Sequence, residues 1–123
     1  MRFVVTMTNT NQQPGPPNPK LMNELMKFTE EMTRAGVVLA TGGLAPRATR
    51  IHASGGKLDN IDGPFAETKE MIAGWALLQA RSKEEAIAHT ARFMKIHQDI
   101  LGPSWEGVAE VRQLFGPEDG PPK

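Results

Sequence analysis

The sequence predicts a single α+β domain, and two observations support this prediction. Its 123 residues suffice for one hydrophobic core and are too few for two ordinary domains. Two amphipathic helical segments alternate with short runs that are rich in apolar and β-branched residues. The predicted domain covers residues 1–115, and residues 116–123, rich in proline and glycine, are expected to form a flexible tail.

Composition and charge exclude several classes of function. Lys plus Arg number 14 and Asp plus Glu number 14, so no net field attracts nucleic acid or an anionic membrane. The chain has no cysteine, which removes thiolate nucleophiles and thiolate metal sites. The first apolar run is too short for a signal peptide, and no run approaches membrane-spanning length. We therefore expect a cytoplasmic protein without a nucleic-acid or membrane partner.

The first third of the chain predicts a strand, a helix and a second strand. Residues 3–7 are β-branched and aromatic, as in a strand. Asn18 suits an N-cap and Pro19 the first helical position, and apolar residues then recur at helical spacing until Gly36. The apolar run 37–40 is typical of a strand covered on both faces. A right-handed crossover between two parallel strands is the expected connection.

The middle of the chain predicts a hairpin and a further strand. Residues 49–53 and 58–61 flank a pair of glycines, which a tight turn needs where φ becomes positive. A turn that begins at Asp62 follows the hairpin, and residues 72–78 then read as a buried strand.

The last third predicts a second helix and a final strand. Ser82 and Glu85 have the spacing of a capping box, in which each side chain bonds the backbone amide of the other. The helix is expected to end at Gly102, which precedes a proline, and residues 108–114 alternate as a strand does.

This order of elements matches a ferredoxin-like split βαβ fold, with a mainly antiparallel sheet and two helices on one face. The other face of such a sheet would expose apolar surface to water, at a cost of about 25 cal/mol per Å². We therefore expect a homodimer that pairs through the open faces of two sheets.

A stretch of nine residues carries a family resemblance. Residues 62–70, DGPFAETKE, are followed by IAGW at 72–75 and by EVRQLF at 110–115, and together they resemble the DGPF branch of the YCII-related proteins. The resemblance implies a subunit of a dimeric α/β barrel, with a cleft between helices and sheet as the proposed active site. It implies no particular substrate, and some of the relatives lie near genes for alternative sigma factors.

The resemblance also implies a catalytic pair that this sequence has only in part. Relatives are proposed to use a histidine on the first helix, but the matching position here falls near Glu24 or Leu25. Their second residue is an aspartate near the end of the second helix, which Asp99 matches.

His97 is the candidate replacement for the missing histidine. It lies near the centre of the apolar stripe of the second helix, so it is expected to point inward. A neutral imidazole in an apolar cleft can accept a proton when a carboxylate holds its other nitrogen. Pairing with Asp99 requires the helix to unwind at Gln98, because helical neighbours two apart do not face each other. The alternative is a core histidine that bonds a backbone carbonyl.

Four residues in and after the nine-residue stretch are further candidates. Asp62 is a possible base or ligand anchor at the mouth of the cleft, or a residue that builds the turn before Pro64. Lys69 and Glu67 are candidate ligand-binding residues, although a charge cluster of this kind can equally lie on the surface. Trp75 completes the predicted ligand-binding set.

The sequence predicts neither a metal site nor a cofactor. His52, His89 and His97 lack the spacing of metal ligands, and the last two are about 12 Å apart along a helix. No glycine-rich phosphate loop joins a strand to a helix.

Two functions follow as hypotheses. The first is a cofactor-free enzyme that performs acid/base chemistry of a lyase, isomerase or dehalogenating type on a small organic molecule. The second is a non-catalytic small-molecule-binding or accessory protein, linked to transcriptional regulation.

Overall fold

The computed structural model of the chain describes residues 1–10, 18–45, 47–63 and 72–121. In these ranges the elements are, in chain order, β1 Arg2–Asn9, α1 Pro19–Arg34, β2 Val38–Gly43, β3 Thr49–Ser54, β4 Lys57–Asp62, β5 Ile72–Gln79, α2 Lys83–Leu101, β6 Gly107–Leu114 and a 3-10 turn Pro117–Asp119. Each helix and strand predicted from the sequence is present, with its bounds shifted by a few residues.

Four of the strands form one sheet in the order β2-β5-β1-β6, and every neighbouring pair in it is antiparallel. β1 and β2 are joined through α1 and run parallel to each other, with β5 between them. This is the strand order of a ferredoxin-like split βαβ fold, so the predicted fold class is confirmed.

The start of α1 is set by its cap. The Asn18 side chain accepts hydrogen bonds from the backbone amides of Lys20 and Leu21, at 2.9 and 3.2 Å, and Pro19 occupies the first helical position. Gly36, with a φ of +79°, turns the chain away after the last helical turn. Both ends therefore lie where the sequence predicted them.

α2 begins with half of the predicted capping box. The Ser82 hydroxyl accepts a hydrogen bond from the Glu85 amide at 3.1 Å. The Glu85 carboxylate, however, is directed towards Arg81 and His89. Gly102, with a φ of +87°, ends the helix.

The hydrophobic core lies between the helices and one face of the sheet. Phe3 and Val5 of β1 point to this face, where they pair with Leu78 and Ala76 of β5. The strongly buried members of the core are Phe3, Val5, Leu78, Ala80 and Ala86. Because strand side chains alternate between the faces of a sheet, Trp75 and the other intervening residues point away from the helices.

β2 is more exposed than the sequence predicted. Its apolar residues predicted a strand covered on both faces, but β2 lies at the edge of the sheet and Leu39 is 48% exposed. A bulge between Val38 and Ala40 interrupts its pairing with β5. A run of four apolar residues does not reveal whether a strand is central or at an edge, because that depends on pairing with distant residues.

β3 and β4 form a hairpin with a two-stranded sheet of its own, as predicted. All of its strand residues are exposed, including Ile51 at 68% and Leu58 at 73%. The positive-φ residues Gly55 and Gly56 form its turn.

The start and the end of the described chain lie together. The Arg2 guanidinium pairs with Glu118 at 3.1 Å and with Asp119 at 3.7 Å. The flexible tail predicted for 116–123 stays a prediction, and its residues 117–119 form the short 3-10 turn. In the described ranges, neither helix has the length and apolar character needed to cross a membrane.

Candidate functional site

A cavity of about 110 Å³ lies between the two helices and the core-facing side of the sheet. It is partly open to solvent. The described residues that line it are Val5, Met7, Phe28, Thr29, Met32, Val37, Val38, Thr41, Gly42, Gly74, Trp75, Ala76, Leu78, His89, Thr90 and Phe93. Its position between helices and sheet is that of the cleft expected from the sequence.

The walls of this cavity are predominantly apolar. Two of the wall hydroxyls already donate their protons to backbone carbonyls: Thr41 to Trp75 at 2.8 Å, and Thr90 to Ala86 at 2.8 Å. Among the wall residues that the structure describes, His89 alone has a titratable side chain. Its imidazole is therefore the described wall group that could exchange a proton with a bound molecule.

His89 is held on the inner side of α2, with 20% of its side chain exposed. Its Nε2 atom is shut off from solvent and has no hydrogen-bond partner among the described residues. The nearest carboxylate oxygen, Oε1 of Glu85, lies 3.6 Å away, just beyond hydrogen-bond distance. A buried nitrogen without a partner is rare in proteins and requires an explanation.

Glu85 is in turn held by Arg81, which lies just before the helix. The Arg81 Nε–H donates to the other carboxylate oxygen, Oε2, at 2.9 Å. This hydrogen bond is the main reason that the pKa of Glu85 lies below its ordinary value, and His89 contributes in the same direction. Glu85 is therefore ionised where it faces the imidazole.

His97 has the surroundings of a core residue. It is 4% exposed, and its Nδ1 lies 3.0 Å from the Phe93 carbonyl oxygen. Because a carbonyl can only accept, Nδ1 carries the proton. The ring stacks on Trp105 at 4.9 Å and meets Phe93 edge-on at 4.8 Å. Burial lowers the pKa of His97 and favours the neutral imidazole.

The structure does not bring His97 and Asp99 together. α2 continues without a break to Leu101, so the unwinding at Gln98 that this pair requires is not observed. Asp99 is exposed and pairs with Lys95 at 3.3 Å. His97 is also not among the residues that line the cavity, although its neighbour Phe93 is.

The other predicted site residues fall into three groups. Asp62 is exposed at the end of β4, where it accepts a hydrogen bond from the Thr49 hydroxyl at 2.6 Å. Glu67 and Lys69 lie outside the described residues. Trp75 is among the residues that line the cavity, but its side chain points to the opposite face of the sheet, where the indole nitrogen lies against Gly42 of the neighbouring strand. Within the described ranges, no three acidic or histidine side chains converge as metal ligands would.

The Glu85–His89 pair was missed by reasoning from the sequence. Its signal was the spacing of four residues, which places two side chains on the same face of a helix. The sequence pattern predicts a capping-box role for Glu85 and offers His89 only as a metal ligand with unsuitable spacing. That His89 borders a cavity depends on α1 and the sheet, which a helical pattern does not reveal.

The fold and this cavity define a small α+β protein with a ligand-sized space between its helices and its sheet. A family model described as the YCII-related domain matches residues 1–100. The chain therefore belongs to the YCII-related family, as the DGPF stretch indicated.

Proteins similar to this chain include one compared by sequence and one compared by structure. An uncharacterized protein of Rhizobium meliloti (strain 1021) is 33% identical over 70 residues, which are 55% of this chain and 56% of that protein. The chain thus spans little more than half the length of this relative. A 5-chloro-2-hydroxyhydroquinone dehydrochlorinase from Burkholderia phenoliruptrix AC1100, in complex with 2,5-dihydroxybenzoquinone, is 15% identical with a TM-score of 0.47. That alignment covers 97% of this chain and 99% of the other, and at this TM-score it carries no weight for function.

Proposed function

We propose that this protein binds a small, mostly apolar organic molecule in the cavity between its helices and its sheet, and performs acid/base chemistry on it. The observation that carries the proposal is an apolar cavity with one titratable side chain, His89, among its described wall residues. A pocket with apolar walls and few polar groups is the usual form of a small-molecule site.

The size of the cavity sets the size of the ligand. An apolar cavity of about 150 Å³ in another protein holds benzene, and the present cavity is of similar volume, about 110 Å³. The ligand is therefore a molecule of about one ring, and part of it can extend through the open side.

The chemistry supported by one imidazole is proton transfer. A neutral histidine can remove a proton from carbon or oxygen and return it elsewhere, as lyase, isomerase and dehalogenating steps require. These reaction types can proceed without a phosphate-binding or redox group.

A second candidate function is ligand binding without catalysis, as in a sensor or accessory protein linked to transcription. It is favoured by the surroundings of His97, the histidine first expected to react, whose Nδ1 is bonded to a carbonyl and whose ring is covered by Trp105. The two candidates differ in whether a bound molecule is chemically changed.

The proposal is tested by thermal-shift screening against a panel of small metabolites. A ligand present at a hundred times its Kd should add about 2.7 kcal/mol to the free energy of unfolding. Ala76→Val narrows the cavity and should abolish the shift, because Ala76 is a wall residue. Ala40→Val makes the same change on an exposed edge strand and should preserve it. Equal thermal shifts in both variants would mean that the ligand binds outside the cavity.

We also propose that two copies pair through the sheet faces that point away from the helices. Support comes from the apolar Val4 and Leu77, which pair with each other across β1 and β5 on that face. Sedimentation equilibrium should give a dimer for the wild type and a monomer for Val4→Glu. Ile87→Glu, at an exposed position of α2, is the control that should stay dimeric. A monomeric wild type at micromolar concentration would refute the pairing.

A cytoplasmic location is the remaining proposal, and it is supported by the composition described above. Fractionation of cells that express the tagged full-length protein tests it. Recovery in the membrane or extracytoplasmic fraction would contradict it.

A further inference from the structure

Three side chains form a line along α2 that leads from solvent to the cavity. Glu85 and His89 are four residues apart on α2 and therefore lie on one face of the helix, and Arg81, just before the helix, donates a hydrogen bond to Glu85 at 2.9 Å. Their exposed fractions fall in the same order, from 92% for Arg81 to 26% for Glu85 and 20% for His89. The Arg81 guanidinium at the surface thus holds the Glu85 carboxylate, and this carboxylate faces the imidazole that borders the cavity.

The carboxylate decides which nitrogen of His89 can react. Glu85 is ionised and faces Nε2 at 3.6 Å, so a proton on Nε2 can be donated to it after a small movement of either side chain. A neutral imidazole with its proton on Nε2 has its lone pair on Nδ1. Nε2 is shut off from solvent, so a proton exchanged between His89 and a ligand would have to use Nδ1.

We propose that His89 is the catalytic acid/base of the cavity and that Glu85 is its positioning residue, held in place by Arg81. The ligand class is a small molecule with an apolar body and one acidic O–H or C–H group. This inference rests on the proposed function, because it requires that the cavity binds such a molecule.

The proton transfer balances within the pair. The O–H or C–H bond of the ligand breaks, its electron pair stays on the ligand, and a new N–H bond forms at Nδ1. The resulting imidazolium is stabilised by the Glu85 carboxylate, whose own protonation state does not change. The reverse step returns the proton to the same or another atom of the ligand, with no oxidant or reductant involved.

Two probes of similar size separate binding from proton transfer. 4-Nitrophenol has an acidic O–H and shows a visible absorbance band only as the phenolate, whereas nitrobenzene has no such proton. The protein has two tryptophans and no tyrosine, and tryptophan does not absorb in the visible range of the phenolate band. Binding of each probe is measured by quenching of tryptophan fluorescence, and ionisation of bound 4-nitrophenol by absorbance at a single pH.

The variants remove the base, the positioning group and a matched charge in turn. His89→Phe replaces the imidazole by a ring of similar shape, and His89→Gln serves if the first variant does not fold. Glu85→Gln removes the carboxylate charge but preserves its shape. Glu84→Gln makes the same change on the neighbouring residue, which is exposed and also lies in the first turn of α2.

We expect the wild type to bind both probes and to ionise bound 4-nitrophenol about tenfold more than the free probe at the same pH, as a neighbouring charge of opposite sign does. His89→Phe, His89→Gln and Glu85→Gln should still bind nitrobenzene and should lose most of this gain. Glu84→Gln should retain it.

The outcomes distinguish the two proposals. If neither probe binds the wild type in the cavity, the proposed function fails, and this inference fails with it. If both probes bind but ionisation is the same in the wild type and the His89 variants, the cavity is a binding site and His89 is not its base. If Glu85→Gln and Glu84→Gln ionise the probe equally, Glu85 is not the positioning residue.

Discussion

His89 and His97 lie on the same helix, about two turns apart, and their surroundings are opposite in character. His97 is almost fully buried, bonded to the Phe93 carbonyl and stacked on Trp105. His89 is less buried, borders a cavity, and has one nitrogen that faces a carboxylate without bonding it. The partner of an imidazole, more than its depth, decides whether it packs or reacts.

The difference follows from what each partner stabilises. A backbone carbonyl accepts one proton from a neutral ring, and burial then disfavours a second proton and a charge. A carboxylate stabilises the charged ring that forms when a proton arrives. These partners are the basis for proposing a structural role for His97 and proton transfer for His89, and four measurements test this difference.

The largest effect is expected for His97→Ala. Removing a buried ring leaves a cavity beside Trp105 and Phe93, and the free energy of unfolding should fall by about 3 kcal/mol. His89→Ala, at a partly open cavity, should cost about 1 kcal/mol or less. Urea unfolding measures both, and equal losses would contradict the assignment of His97 to the core.

Gly102→Ala should have the next largest effect. Gly102 has a φ of +87° and a ψ of 179°, a conformation that is almost confined to glycine, so alanine there should cost about 2 kcal/mol. Its carbonyl also accepts the Trp105 amide at 3.2 Å, so the strain should disturb the stack on His97. Tryptophan fluorescence during urea unfolding reports both changes. Gly74→Ala, where φ is ordinary, is the comparison.

The pH dependence of stability should also distinguish His97. Its pKa in the folded protein lies below the ordinary value of 6.5, so between these two values the unfolded chain holds a proton that the folded chain lacks. The contribution of neutral His97 to the free energy of unfolding is therefore fully present above pH 6.5. It is lost as the pH falls towards the pKa of His97 in the folded protein. The free energy of unfolding should change with pH by at most about 1.4 kcal/mol per pH unit. The same titration of His97→Asn should be flatter, and parallel curves would disprove the coupling.

Ser82→Ala should have the smallest effect on stability, about 1 kcal/mol, because it removes the N-cap of α2. It should also loosen the first turn and lower the ionisation of bound 4-nitrophenol, since Glu85 lies in that turn. Asn18→Ala removes the N-cap of α1 at a similar cost and should not change the ionisation. If both variants changed the ionisation of bound 4-nitrophenol equally, the effect would not depend on Glu85, and its proposed support of His89 would be wrong.

Much of the fold could be predicted from local chemistry. The caps at Asn18 and Ser82, the glycine stops at Gly36 and Gly102 and the turn of the hairpin all depend on residues a few positions apart. The family was indicated in the same way, by a continuous stretch. The prediction for β2 was wrong because its exposure depends on its place at the edge of the sheet.

The candidate site was predictable only in part. A cleft between helices and sheet was expected, and a cavity lies there. The ligand-binding role of Trp75 stays a prediction. The expected pairing of His97 with Asp99 was not observed, and the pair formed by His89 and Glu85 was not recognised, although its spacing was readable.

Local sequence indicates which helices and strands form and, to within a few residues, where they lie, as well as the inward direction of His97 and the family to which the chain belongs. These features depend on backbone preferences and on helical periodicity, which act over a few residues. Only the tertiary structure decided that His97 is covered by Trp105 and that His89 borders an open cavity. The reason is physical: a side chain's partners are set by packing between elements that are distant in sequence, and neighbouring residues do not encode that packing.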